Sequence, residues 1–214
     1  MANINILIAC EQSQTICKAF RHLGFSAYSN DIEPNYGGHP EWHIIGDALE
    51  VVKAGQAFKT ESGTITPVVD KWNLIIAHPP CTMLTHASAV ARSKGLHTQD
   101  DIEKATQFFM AMLNAPADHV AIENPAPLKD IGLPRYQQIL QPYEFGERFS
   151  KRVCLWLVNL PPLICEGGLV PEHKQWLKHC NHTGKRRSKT FEGIAKAMAN
   201  QWGGWIQSAL ASTS

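Results

Sequence analysis

The chain has 214 residues, 44% of them hydrophobic and 18% charged, which is enough apolar material for one substantial core and excludes a disordered or membrane-spanning chain by composition. A net charge of +1 argues against a strongly basic, tight duplex binder, yet the clusters Arg148-Lys151-Arg152 and Lys185-Arg186-Arg187-Lys189 can hold phosphates locally. The six cysteines (Cys10, Cys17, Cys81, Cys154, Cys165, Cys180) stand at unrelated spacings and read as reduced thiols. Met1 to Ile8 lacks a basic leader and reads as a first strand rather than a signal peptide, so cytoplasmic residence is expected, with no membrane partner.

In chain order, Ile4 to Ala9 reads as a strand and Thr15 to Leu23 as a helix stopped by Gly24. Ala27-Tyr28-Ser29-Asn30 begins a second strand. A Gly/Pro/Asn-rich loop over Glu33 to Pro40 leads to a short strand, His43-Ile44-Ile45, and to a helix over Ala48 to Phe58. Lys59 to Pro67 reads as a hairpin or exposed loop. Leu74 to Ala77 is a buried strand, Met83 to Thr98 a polar loop, and Gln99 to Leu113 a helix with Ile102, Ala105, Phe108, Phe109, Met112 and Leu113 on its apolar face. Val120-Ala121-Ile122 and Val153 to Leu157 are further strands, and Phe191 to Ile206 is a closing helix. Strands alternating with helices predict a doubly wound, mostly parallel α/β sheet with ligands beyond the carboxyl ends of the strands. One domain spanning 1–214 is expected.

Two strand ends carry chemistry. The run Leu74-Ile75-Ile76-Ala77-His78 breaks at Pro79-Pro80-Cys81, and Val120-Ala121-Ile122 ends in Glu123-Asn124-Pro125. A lone cysteine after a strand is more often a small buried hydrophobe than a nucleophile. A thiol and a carboxylate on two strand ends are another matter, because nucleophilic attack coupled to acid assistance needs that pair.

Pro79-Pro80-Cys81 followed by Glu123-Asn124-Pro125 resembles the two catalytic motifs of the cytosine-C5 DNA methyltransferases, and in particular short phage and prophage members. The resemblance implies a Rossmann-like methyltransferase fold, with a Cys81 thiolate that attacks C6 of cytosine and Glu123 holding N3 and the exocyclic amine as the acid. A one-carbon group is then transferred to C5. Tyr28-Ser29-Asn30-Asp31 is similar to the motif whose acid binds the ribose of S-adenosylmethionine, and Gly46-Asp47 to the motif whose Asp contacts the adenine amine. By the same resemblance Cys10, Glu11, Asp31, Asp47 and Pro79 stand against the cofactor. Pro80, Asn124, Arg148 and Lys151 face the substrate, and Arg152 joins Cys81 and Glu123 in the catalytic set. Arg187 to Ile194 looks like the last motif of the family, which packs beside the cofactor.

Two departures from the family stand out. The glycine-rich loop after the first strand is replaced by Ala9-Cys10-Glu11-Gln12-Ser13-Gln14, which has no glycine. Side chains there are expected to crowd the cofactor, and Glu11 to add a negative charge near its carboxylate. The target-recognition domain is also missing, because 158–187, a short irregular insertion, is too small for an independent core. Single-stranded DNA or a pyrimidine nucleotide is therefore the expected partner. Other readings stay open: a relative doing other C5 chemistry, or acting on a nucleotide without S-adenosylmethionine, and a non-catalytic module that binds DNA or a protein. The oligomeric state is open too. Cys165, His173, His179, Cys180 and His182 lie close enough for a structural zinc, but their spacing matches no standard finger, and no metal site is assigned.

Overall fold

Alternation within the first strand sets the architecture. In β1 (Asn5–Ala9) the buried side chains of Ile6 and Ile8 enter one apolar layer and those of Leu7 and Ala9 the other, so the strand is covered on both faces. The computed structural model describes residues 4–85, 97–165, 178–179 and 189–212. In it, β2 (Ser26–Asp31), β3 (His43–Ile45), β4 (Trp72–Ala77), β5 (Ala117–Asn124), β6 (Gln138–Leu140) and β7 (Val153–Val158) join β1 in one seven-stranded sheet. Their spatial order is β3-β2-β1-β4-β5-β7-β6. The first five strands are parallel, and β7 runs antiparallel between β5 and β6. This is the doubly wound, mostly parallel, Rossmann-like α/β fold expected.

Helix α1 (Thr15–His22) and the C-terminal helices cover one face, where Ile16, Phe20, Ile194, Met198 and Trp202 pack on Ile6, Ile8 and Ile76. On the other face, α2 (Ala48–Val51) and α3 (Gln99–Leu113) bring Val51, Phe109 and Met112 onto Leu7, Ile75 and Ile122. The start of α3 is fixed by a capping box in which Thr98 and Asp101 each accept from the other's backbone N–H. Three buried tryptophans satisfy their indole N–H on backbone carbonyls: Trp72 on Val51, Trp156 on Pro134 and Trp202 on Pro161.

Two elements differ from expectation. The helix predicted over Ala48 to Phe58 stops at Val51, because Ala54 and Gly55 turn to positive φ (54° and 73°) and send the chain into a hairpin with bridges Gln56–Val69 and Lys59–Ile65. The closing helix is a composite of α4 (Glu192–Ala197), a π turn over Met198–Trp202 and α5 (Gly203–Ala211). It lies so close to the turn between α1 and β2 that a Cβ at Gly203 would come within 2.7 Å of the Phe25 ring. Among the described residues no helix is long and apolar enough to cross a membrane.

Candidate active site

Sheet order reverses beside β1, whose neighbours β2 and β4 lead away in opposite directions, and such a switch point opens a crevice at the carboxyl ends. The chain sets Cys10 and Glu11 at the end of β1, Asp31 at the end of β2, Asp47 just after β3, His78 to Cys81 after β4, and Glu123-Asn124 at the end of β5. Most of the residues singled out in the sequence therefore share one edge of the sheet.

The two motifs are stitched together. Asn124 Nδ2 donates to the Pro79 carbonyl at 2.8 Å, Leu128 N donates to Leu84 O at 2.9 Å, and Thr85 bridges Pro127. Pro79 is buried, Pro80 exposed and Cys81 half-buried. The carbonyl of Cys81 accepts from Leu84 N and from Thr85 Oγ1, so the turn carrying the thiol is held by its own backbone. Asn124, expected against the substrate, is 3% exposed and its amide nitrogen is spent on holding this loop.

Glu123 is also buried, and His78 Nδ1 donates to its Oε2 at 2.8 Å. Burial pushes the Glu123 carboxyl up, but the His78 hydrogen bond and charge, followed by the charge of Lys151, outweigh it and hold the group below the ordinary carboxylate range. Glu123 is thus a carboxylate at rest. Its hydrogen-bond partner is His78, a residue that the sequence reading passed over although it directly precedes Pro-Pro-Cys. The cation that acts on Glu123 is Lys151; Arg152 is exposed and acts on the Cys154 thiol, and Arg148 is exposed as well.

On the cofactor side, Glu11 is placed differently from expectation. Its carboxylate turns inward, 4% exposed, and accepts from Ile16 N at 2.7 Å and Cys17 N at 3.2 Å, the free amides of the first turn of α1. Gln14, the residue before the helix, makes no side-chain cap, so Glu11 supplies it. The missing glycines are replaced in another way. Cys10 (φ 60°) and Gln14 (φ 55°) themselves take the left-handed conformation, and the glycine needed for close approach lies across the loop at Gly37, where a Cβ would meet Ser13 O at 2.5 Å. Gln14 then exchanges hydrogen bonds with both backbone groups of His39. Crowding of the crevice by this loop is therefore less than its composition suggests.

Burial, then the charges of Asp31 and Asp47, push the Cys10 thiol up to about 12, which makes it a neutral neighbour of two acids rather than a nucleophile. Asp31 is half-buried and accepts from Glu33 N, while Asp47 is exposed and caps α2 through Leu49 N. Beside Asp31, Ile32 is 74% exposed, an apolar face at a polar strand end that the sequence reading did not single out. Among the described residues, Asn30 Oδ1 and His78 Nε2 are the buried side-chain polar atoms with no hydrogen-bond partner, and they stand at the carboxyl ends of the two strands flanking β1, Asn30 in β2 and His78 just after β4.

Of the five zinc candidates only the side chain of Cys165 is described, and it is exposed; His173, His179, Cys180 and His182 lie outside the described side chains, as do Lys185, Arg186 and Arg187. Among the described residues no group of three His, Cys, Asp or Glu side chains is arranged to hold a metal ion.

No protein-family model matches the chain, and no curated protein matches it by sequence. Among solved structures it is similar to a protein described as a DNA modification methyltransferase encoded within an E. coli prophage, with a TM-score of 0.41 and 11% identity over 72% of this chain and 46% of that one. It is also similar to the Entamoeba histolytica methyltransferase EhMeth, with a TM-score of 0.41 and 14% identity over 78% of this chain and 56% of that one. The chain thus spans about half the length of these two proteins.

Proposed function

We propose that the chain is a transferase that modifies C5 of cytosine in DNA, with Cys81 as nucleophile, Glu123 as the group that holds the base, and S-adenosylmethionine as the methyl donor. The observation that carries this reading is the stitching of the Pro79-Pro80-Cys81 turn to the Glu123-Asn124-Pro125 turn on neighbouring parallel strand ends. Addition of Cys81 Sγ to C6 turns C5 into an enamine-like carbon. This requires a carboxyl group at N3 and the exocyclic amine at the same time, and only a pair held in one geometry does both.

The residues at the ends of β2 and β3 fit the nucleoside half of the donor: Asp31 and Asp47 offer acceptors for hydroxyls and an amine, Asn30 Oδ1 has no partner among the described residues, and Ile32 gives an apolar face. When bound there, S-adenosylmethionine supplies an electrophilic methyl group. Glu11 contributes by fixing α1 behind the crevice. The reading assigns Pro80 and the cations Arg148, Lys151 and Arg152, all exposed or half-buried, to the base side, where the backbone of a single strand would lie.

The test is mass spectrometry of the protein incubated with S-adenosylmethionine and a single-stranded oligonucleotide containing 5-fluorocytosine. The reading expects a covalent adduct on the peptide containing Cys81, lost in Cys81→Ser with folding unchanged. An adduct that persists in Cys81→Ser overturns it. In the same assay a duplex carrying the fluorinated base should react more slowly than the single strand, since extracting a base costs a few kcal/mol.

A further inference from the structure

The reading above leaves a proton unaccounted for. Attack at C6 requires N3 to be protonated, yet Glu123 rests as a carboxylate and has no proton of its own to give. Its partner does. His78 Nδ1 donates to Glu123 Oε2 at 2.8 Å, with side-chain exposures of 11% and 8%, so the pair is shielded from bulk water. The other ring nitrogen, Nε2, is buried with no hydrogen-bond partner among the described residues. A purely structural histidine at this depth would have both nitrogens engaged, as His43 does with Ser29 Oγ and Glu33 O.

We propose that His78 is the proton reservoir of the site, acting through Glu123 to protonate N3 of the bound pyrimidine as Cys81 adds to C6; this rests on the reading of the reaction given above. The relay requires a proton on each ring nitrogen of His78 at the start of the step, and the imidazole stands between two carboxyl groups, with Glu123 bonded to it and Glu11 facing it. In the step, the thiol proton of Cys81 has already left to solvent and Sγ forms the bond to C6. The C5–C6 π pair moves between C5 and C4, and the C4–N3 π pair moves onto N3. N3 takes a proton from Glu123, Glu123 takes the Nδ1 proton of His78, and His78 ends neutral with its proton on Nε2. Charges balance without any further reactant. His78 is therefore a positioning and proton-holding residue that acts through Glu123. Among the described residues, the charged and titratable groups that face the pair are Glu11 from the β1–α1 turn, Lys151 from the segment before β7, and Cys154 on β7.

Release of tritium from [5-³H]cytosine in a single-stranded oligonucleotide tests this without a methyl donor, because reversible addition at C6 exchanges the C5 hydrogen with water. The wild-type rate should be bell-shaped in pH, rising with thiol ionisation and falling as the His78–Glu123 pair loses its proton. His78→Asn keeps a donor to Glu123 but cannot give up a proton. It should lower the rate at pH 8 by about tenfold or more and move the descending limb to lower pH by about one unit or more, since Glu123 must then supply the proton alone. A His78→Asn profile that is only scaled down, with its shape unchanged, overturns the relay while the reaction stands. A wild-type rate that does not fall at alkaline pH overturns it as well, whether or not the variant folds. Release by the wild type that survives in Cys81→Ser, or no release at any pH, overturns the reaction itself and the relay with it.

Discussion

The side-chain amide of Asn124 donates to the carbonyl of Pro79 at 2.8 Å and so fastens the end of β5 to the turn that carries Cys81. The bond is buried and joins two neighbouring strand ends, which makes it one clamp on the distance between Cys81, the proposed nucleophile, and the Glu123 carboxylate. Removing it in Asn124→Ala leaves the Pro79 carbonyl without that donor and should cost about 1–3 kcal/mol of stability. The adduct-forming rate should fall further than stability suggests, by about 10- to 100-fold, because a loosened turn no longer holds an attack geometry. Thermal unfolding and adduct kinetics on the same preparation check both expectations, and an unaltered rate would remove the clamp from the mechanism.

Glu11 and Glu123 should make opposite contributions to stability as pH changes. Burial, the largest influence, raises the Glu11 carboxyl against the lowering effects of His78, the Ile16 and Cys17 amides and Ser13. A raised carboxyl binds its proton longer in the folded than in the unfolded chain, so its contribution is lost as pH climbs from the ordinary carboxylate range through the raised value. The lowered Glu123 contributes stability that is present above the ordinary range and is lost as pH falls through its depressed value. Chemical denaturation against pH should therefore show Glu11→Gln gaining on the wild type toward neutral pH and Glu123→Gln losing. Equal slopes for both variants would refute the assignment.

Glu11→Ala is a different experiment from Glu11→Gln, because it strips the first turn of α1 of its acceptor. Loss of a helix cap costs about 0.5–2 kcal/mol. Calorimetry should record a fall in Tm of about 2–4 °C for each kcal/mol lost in a chain of this size. A Tm equal to that of the wild type would show that the α1 amides find another partner.

Lys151 and Arg152 are adjacent in sequence and differ in what they reach. Lys151 acts on Glu123, whereas Arg152 is exposed and acts on the Cys154 thiol. Lys151→Met should slow adduct formation more than Arg152→Met. Each residue that also neutralises a phosphate should reduce the salt slope of single-strand binding by about 0.7 when it is removed. The reverse ranking of the two rates would return the catalytic role to Arg152.

The thiols should separate sharply in alkylation. Cys10 is pushed up to about 12 and Cys154 to about 11, in both cases with burial as the first cause. With iodoacetamide at pH 8, Cys10 should react about a thousandfold more slowly than a free cysteine, and Cys154 more slowly than its ionisation alone implies because it is buried. Peptide mass spectrometry over time measures this directly. Rapid labelling of Cys10 would mean that the β1–α1 turn opens.

The sequence alone determined the parallel strands, the helices α1 and α3, and the placing of Cys81, Glu123, Asp31 and Asp47 at strand ends. These depend on local signals, namely apolar runs of strand length, the Gly24 stop, the helical periodicity of Gln99 to Leu113, and Pro79 and Pro125, which end two of the runs. Tertiary structure decided what each end does. Glu11 looks in sequence like a charge pointed at a ligand, and only the approach of α1 turns it into a helix cap. His78 looks like the last residue of an apolar run, and only the pairing of β4 with β5 sets it against Glu123. Asn124 reads as a contact for substrate, and only the tertiary structure sets its amide against the Pro79 carbonyl. Gly37 stands outside the loop whose lack of glycine is evident, and the two are joined only when the β2–β3 segment folds over Ser13 and Gln14. His78 and Glu123, like Asn124 and Pro79, stand 45 positions apart, and no local pattern encodes a hydrogen bond whose two ends are brought together by the register of a sheet.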